Sequence, residues 1–229
     1  MSLLEHILHI DRSLFLLLNT VPANQFFDVI FVNATEATFW IVPGIVALLL
    51  FFLRKKKEAL LVIGLALVTV AISDPVAARI LKPLFGRHRP CHPEYFVAGG
   101  RFLCGMRTSL SFPSVHAVNI FAQATLLSCY YPRWKWVYAA FAVFIGYSRI
   151  YVGVHYPLDV AGGAVAGCII GVFVFGGYRS VYTWWRKRNV PKSVCGKGSP
   201  KEVTETSSRA GIDKSESPVS PVAGGESIS

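Results

Sequence analysis

The sequence predicts an all-α, polytopic membrane bundle of about five transmembrane helices plus an N-terminal interfacial or sixth helix. Three observations carry that reading. Of 229 residues, 53% are hydrophobic and only 16% are charged, too apolar for an ordinary soluble domain. Apolar stretches recur at about 37–53, 59–81, 115–131, 136–150 and 158–178, each close to the roughly 17–25 residues a spanning helix needs. Basic residues collect at alternate ends of these stretches.

The first hydrophobic segment, 3–19, carries Glu5, His6, His9, Asp11 and Arg12. Such charges suit a helix lying in the interface rather than one crossing it. The segment lacks the basic start and small-residue cleavage site of a secretory signal, so removal is not expected. Arg54-Lys55-Lys56-Lys57 follows the first span, Arg133 and Lys135 the third, and Arg179 with Arg186-Lys187-Arg188 the fifth. Cationic loops stay cytoplasmic, which puts these three ends inside. By alternation, the end of the second span, the loop 82–112 and the segment 149–157 face outward. The net charge of +10 therefore reads as membrane orientation; no separate basic domain suggests a nucleic-acid partner.

Residues 1–188 form the expected membrane-embedded domain. From Asn189 the composition turns to Ser, Thr, Pro, Gly and Lys, so 189–229 is expected to be a disordered cytoplasmic tail. Gly163, Gly167 and Gly171 place a smooth stripe on the fifth span for close helix packing. Trp184-Trp185 reads as an interfacial anchor. Cys91 and Cys104 bracket the outer loop, where an oxidising compartment permits a disulfide; spacing alone leaves that pairing open. Cys129, Cys168 and Cys195 look like small core residues or free thiols. No Cys/His spacing of the metal-binding kind occurs, and no metal or cofactor is expected.

The chemistry-bearing residues concentrate in three clusters at membrane boundaries, where polar groups are costly unless used. Lys82 closes the second span, and Arg89 precedes Pro90, which biases it towards an extended backbone. A phosphomonoester carries nearly two negative charges; Arg offers a planar fork for its oxygens and Lys a point charge. Taken singly, these residues, with Arg87 as a third, also read as snorkelling interfacial cations.

Ser114 follows Pro113 at a natural helix N-cap, where free backbone N–H groups, including that of Val115, favour an anion. His116 in that first turn is suited to protonating a departing oxygen. In the third cluster, Pro157 marks a helix start and Asp159 lies four residues after His155. Asp159 can thus fix the His155 tautomer and leave the opposite nitrogen free to attack phosphorus. Arg149 adds a further clamp; the plainer alternative is an Arg149–Asp159 ion pair beside a bystander His155. Asp74, inside the second span, needs a partner or water, with Arg79 a candidate.

Lys82…Arg89-Pro90, Pro113-Ser114…His116 and Arg149…His155…Asp159 resemble the three-part signature of the type 2 phosphatidic acid phosphatase superfamily. The likeness covers roughly residues 60–175. It implies a helical membrane core, no metal requirement, His155 as a nucleophile that becomes phosphohistidine, Asp159 as its orienter and His116 as general acid. Lys82, Arg89, Ser114, the Val115 amide and Arg149 would bind the phosphoryl group. Val115 departs from the family's commonest residue there, glycine.

The expected activity is hydrolysis of a lipid phosphate or pyrophosphate at the outer face of the plasma membrane. Undecaprenyl pyrophosphate leads the candidates, followed by phosphatidic acid, phosphatidylglycerol phosphate and lipid A. A non-catalytic binder of lipid phosphates is the alternative from another class. The vanadate haloperoxidase chemistry of soluble relatives is a remote third. The oligomeric state is not legible.

Overall fold

The structure is a computed structural model that describes residues 2–189; the tail expected beyond Asn189, with Cys195, lies outside the described residues. Among the described residues eight α-helices follow in order: α1 (Leu3–Thr20), α2 (Gln25–Thr35), α3 (Ile41–Arg54), α4 (Lys56–Pro75), α5 (Lys82–Phe85), α6 (Val115–Tyr130), α7 (Lys135–Tyr151) and α8 (Pro157–Asn189). No strand occurs among the described residues.

A capping box starts α1: the Ser2 hydroxyl accepts from the Glu5 amide at 3.2 Å, and the Ser2 amide donates to the Glu5 carboxylate at 2.8 Å. The chain bends by 114° between α1 and α2. Asn19, fully buried near this corner, donates to the carbonyls of Tyr151 at 2.7 Å and Arg101 at 3.0 Å. It also accepts from the Arg101 amide at 2.6 Å. One side chain thereby ties the N-terminal helix to the loop before α6 and to the end of α7.

Pro75 lacks an N–H and obstructs the preceding turn, and the helix widens directly after it into a π-helical stretch, Val76–Leu81. That stretch runs on into α5, which Gly86 ends in the left-handed conformation at φ 58°. The long connection 86–114 then packs across the ends of α7 and α8. Its Leu103 amide donates to the Val152 carbonyl at 3.1 Å, and its Ser111 amide to the Arg87 carbonyl at 2.7 Å.

The glycine stripe brings α8 against α6. A Cβ at Gly167 would stand 2.4 Å from the Val118 carbonyl oxygen, and one at Gly171 2.6 Å from that of Ala122. Only glycine allows this backbone approach.

Two helical stretches, Lys56–Phe85 and Pro157–Asn189, are long and apolar enough to cross a membrane, and the bent α1–α2 pair makes up to three. Thr38–Arg54 is apolar but shorter, and α6 and α7 have 16 and 17 residues. Helices therefore form at all five expected positions, but only two have full spanning length. The large exposed hydrophobics, among them Leu50, Leu67, Val143 and Phe173, give the bundle an apolar exterior.

Candidate active site

The end of α7, the start of α8 and the loop 86–114 converge on His155. The Arg149 carbonyl accepts from both the Val154 and His155 amides, at 3.1 and 3.2 Å, folding the chain back between α7 and α8. Gly153 makes that turn with φ at 84°. α8 begins at Pro157, which places Asp159 in its first turn.

His155 is 1% exposed and Asp159 fully buried. Their facing atoms, His155 Nδ1 and Asp159 Oδ2, are 3.5 Å apart. Ser111, also fully buried, bridges them: its Oγ lies 3.3 Å from Nδ1 and donates a short hydrogen bond to Asp159 Oδ2. The Tyr156 amide donates to the same oxygen at 2.8 Å.

On the other side of the ring, Arg89 Nη1 lies 3.2 Å from Nε2. An arginine N–H only donates, so Nε2 accepts and the imidazole proton sits on Nδ1, towards Ser111 and Asp159. That is the tautomer a nitrogen nucleophile at Nε2 needs. Burial holds the imidazole well below its ordinary value of 6.5; the Asp159 hydrogen bond opposes this, and the Arg89 and Arg149 charges reinforce it. The nucleophile candidate is therefore neutral at pH 7.

Arg89 is itself fixed by the Ser109 carbonyl at 3.0 Å, the Ser109 hydroxyl at 3.1 Å and the Val154 carbonyl at 3.1 Å. Lys82 Nζ donates to the Leu110 carbonyl at 2.9 Å. Arg149 Nη1 is held by the Thr35 carbonyl and hydroxyl, while its buried Nε has no partner among the described residues. An unpaired buried guanidinium N–H is costly and suits an anion that arrives later. Ser114 caps α6, its hydroxyl accepting from the Ala117 amide at 3.5 Å, and its own amide donates to the Asp159 carbonyl at 3.0 Å. Val115 is the first residue of α6.

His116, in the first turn of α6, opens onto two cavities. One, of about 510 Å³, is walled by Trp40, Pro43, Ala47, Ile120, Phe141 and Ile145, with His116 and Thr35 as its polar members. The other, of about 400 Å³, also takes in Asp74, Asn119 and Gln123.

Three alternatives that the sequence left open fall away. Asp159 pairs with Arg87 at 2.9 Å, so the Arg149–Asp159 ion pair does not form. Arg87 does not snorkel: it also pairs with Asp11 at 2.6 Å and lies 4.0 Å over the Tyr156 ring. Asp11, the partner on α1, turns inward at 3% exposure and accepts from the Leu158 amide at 2.9 Å. Asp74 is partnered by Asn119 rather than Arg79. Cys91 and Cys104, left open by spacing, are both free thiols packed in one apolar cluster.

Residues 57–184 match the model of the PAP2 superfamily. The chain belongs to that superfamily. A lipid A 4'-phosphatase from Porphyromonas gingivalis is 32% identical over 192 residues, covering 82% of this chain and 81% of the relative. An undecaprenyl-diphosphatase from Sulfolobus acidocaldarius is 36% identical over 131 residues, covering 57% of this chain and 58% of the relative. The crystal structure of Aquifex aeolicus LpxE superposes with a TM-score of 0.56 at 27% identity, over 72% of this chain and 93% of that one. This PAP2 protein is thus a membrane-integral member of a superfamily of lipid phosphatases.

Proposed function

We propose that this PAP2 protein hydrolyses a lipid phosphate monoester or diphosphate through a phosphohistidine, without a metal, at the extracytoplasmic face of the plasma membrane. The observation that carries the reading is the two-sided hold on His155: Arg89 at Nε2, and Ser111 with Asp159 at Nδ1.

In the first half-reaction Arg89 Nη1 transfers its hydrogen bond from Nε2 to a phosphoryl oxygen, and the freed Nε2 lone pair forms a bond to phosphorus as the bond to the lipid oxygen breaks. His116 gives its proton to that oxygen. Asp159 and Ser111 steady the positive charge that develops on the ring. Lys82, Arg89, Arg149, Ser114 and the Val115 amide take the phosphoryl oxygens. In the second half-reaction a water attacks phosphorus, His116 removes its proton, and inorganic phosphate leaves with His155 neutral again.

The apolar cavity beside His116 supports a lipid as the leaving group, because the acid must stand next to the oxygen it protonates. The relatives' names put lipid A phosphate and undecaprenyl diphosphate forward as substrate classes.

Orientation rests on the basic connections. The Tyr131 hydroxyl, after α6, donates to Glu58 at 2.7 Å, and Lys55 lies 5.9 Å from the Tyr131 ring, so the connections after α3 and after α6 meet at one end. Helix alternation then puts His155 at the other. On the positive-inside rule that end is extracytoplasmic, the tail is cytoplasmic, and α1 lies in the interface.

The test is phosphate release by purified protein in detergent with EDTA, on undecaprenyl diphosphate, phosphatidate, phosphatidylglycerol phosphate and lipid A. Release without metal, with an acid-labile phosphoprotein that His155→Ala abolishes, is the expected result. Binding of these lipids without release of phosphate would make the protein a binder and sink the reading.

A further inference from the structure

The cations of the site are not all held in the same way. Lys82 and Arg89 are fixed by Leu110, Ser109 and Val154, all within residues 57–184, the part of the chain that matches the PAP2 model. Arg149 is fixed from outside that part. Its Nη1 donates to the Thr35 carbonyl at 3.2 Å and to the Thr35 hydroxyl, and Thr35 is the last residue of α2.

Local structure explains why that carbonyl is available. α2 stops at Thr35 because Glu36 turns extended, at φ −87° and ψ 121°. The last carbonyls of a helix have no partner within it, and their dipoles favour a cation. Trp40 closes the turn that follows: its Nε1 donates to the Ala34 carbonyl at 3.0 Å, and its ring centroid lies 5.2 Å from that of Phe141 on α7. Phe31, one turn before Thr35, packs on Phe144, Tyr147 and Tyr151 of α7. The end of α2 is thereby clamped to the helix that carries Arg149, with Thr35 buried between them.

The contacts on the guanidinium decide what remains for a ligand. Both fall on Nη1, and no other hydrogen bond to a described residue holds the group. Nε is buried and unpartnered, and Nη2 donates to none of the described residues. Nε and Nη2 form one edge of the arginine fork, and two parallel N–H groups on such an edge match two phosphate oxygens.

We propose that Thr35 is a positioning residue for phosphoryl binding: by occupying Nη1, it holds the Nε–Nη2 edge of Arg149 towards two oxygens of the substrate phosphate. The proposal rests on the phosphate clamp of the reading above and adds to it a residue of α2, from before the part of the chain that matches the family.

Calorimetry with orthovanadate, on purified protein in detergent, reads the clamp without turnover. Thr35→Val keeps the carbonyl and the shape but removes the hydroxyl. It is expected to weaken vanadate binding about tenfold, the worth of one hydrogen bond to a charged group. Thr35→Ser keeps the hydroxyl and is expected to bind within about twofold of the wild type. Once Arg149→Lys has removed the fork, adding Thr35→Val should change nothing further. Unchanged binding in Thr35→Val, or serine as weak as valine, would overturn the role and leave Thr35 a packing residue. A further loss of about tenfold in the Arg149→Lys background would also overturn it, making Thr35 act independently of Arg149. The expected order of binding with no phosphate released from any lipid would sink the phosphatase reading and leave the clamp standing. No vanadate bound by the wild type would remove both.

Discussion

Arg87 donates to the Asp159 carboxylate at 2.9 Å, so the carboxylate that faces His155 Nδ1 is itself one end of an ion pair. The same guanidinium reaches Asp11 of α1 at 2.6 Å, and Asp11 accepts from the Leu158 amide beside Asp159. The chain Asp11–Arg87–Asp159 runs from the N-terminal helix to the candidate nucleophile. Removing its middle member leaves two buried carboxylates uncompensated, a change worth about 3–5 kcal/mol in comparable buried pairs. Arg87→Ala is expected to lower the unfolding temperature and reduce kcat. Arg87→Lys should restore much of the fold but less of the turnover, because a point charge cannot hold two carboxylates in the fork geometry. Equal kcat in Arg87→Ala and the wild type would show that Asp159 needs no support.

Ser111 supplies the second support. Its hydroxyl contacts both His155 Nδ1 and Asp159 Oδ2, and hydrogen bonds to charged groups are worth about 1.5–3 kcal/mol. Ser111→Ala is therefore expected to cost about ten- to hundredfold in kcat with little change in KM, because the serine contacts both His155 and Asp159. A change confined to KM would place Ser111 in substrate binding instead.

Much of this arrangement was legible along the chain, and the rest was not for definite reasons. His155 and Asp159 are four residues apart across a helix start, so local geometry alone suffices to bring them together. Lys82, Arg89, Ser114 and Arg149 stand out because fixed cations and a capping serine at membrane boundaries are conspicuous. Ser111 and Arg87 carry no such signal. One resembles any loop serine, and the other any interfacial arginine, until a fold joins residues 48 and 72 positions apart. Asp11 sits among Glu5, His6, His9 and Arg12 on an amphipathic helix, and composition does not reveal which of these turns inward. Asn19, which pins α1 to the α7 end, is equally invisible as a single amide in an apolar run.

The buried, neutral His155 has a consequence for pH. Its folded value lies below the ordinary 6.5, so the unfolded chain takes up a proton below that pH which the native site refuses. This group consequently subtracts stability as pH falls below 6.5, and by linkage the slope approaches about 1.4 kcal/mol per pH unit. Unfolding in detergent followed from pH 7.5 down to 5 is expected to show a shallower loss for His155→Gln than for the wild type. Parallel curves would mean that the native imidazole protonates normally, which would also weaken its assignment as nucleophile.

Vanadate, which adopts five-coordinate geometry, is expected to compete with the substrate phosphate, drawn by Lys82, Arg89 and Arg149. Arg89→Lys is expected to weaken inhibition and turnover together, because a lysine cannot keep the Ser109, Val154 and His155 contacts and still present a donor where Nη2 now lies. Inhibition that survives unchanged in Arg89→Lys would show that vanadate binds elsewhere.

Two left-handed glycines give a matched test of how the backbone places His155. At Gly86, φ is 58° and an added Cβ would meet nothing within 4 Å. Gly86→Ala therefore faces only the left-handed strain of an L-residue, about 1–2 kcal/mol. At Gly153, φ is 84° and the Cβ would stand 2.1 Å from the Arg101 carbonyl oxygen and 2.8 Å from the Phe102 ring. Neither neighbour yields easily: Arg101 is tied to Asn19 through both its amide and its carbonyl, and Leu103 donates to Val152. The turn that carries His155 must move instead, and small misplacements of a reacting group cost large factors in rate. Gly153→Ala is expected to lose far more turnover and more thermal stability than Gly86→Ala. Similar losses in both variants would mean that the 152–156 turn adapts freely and does not fix the nucleophile.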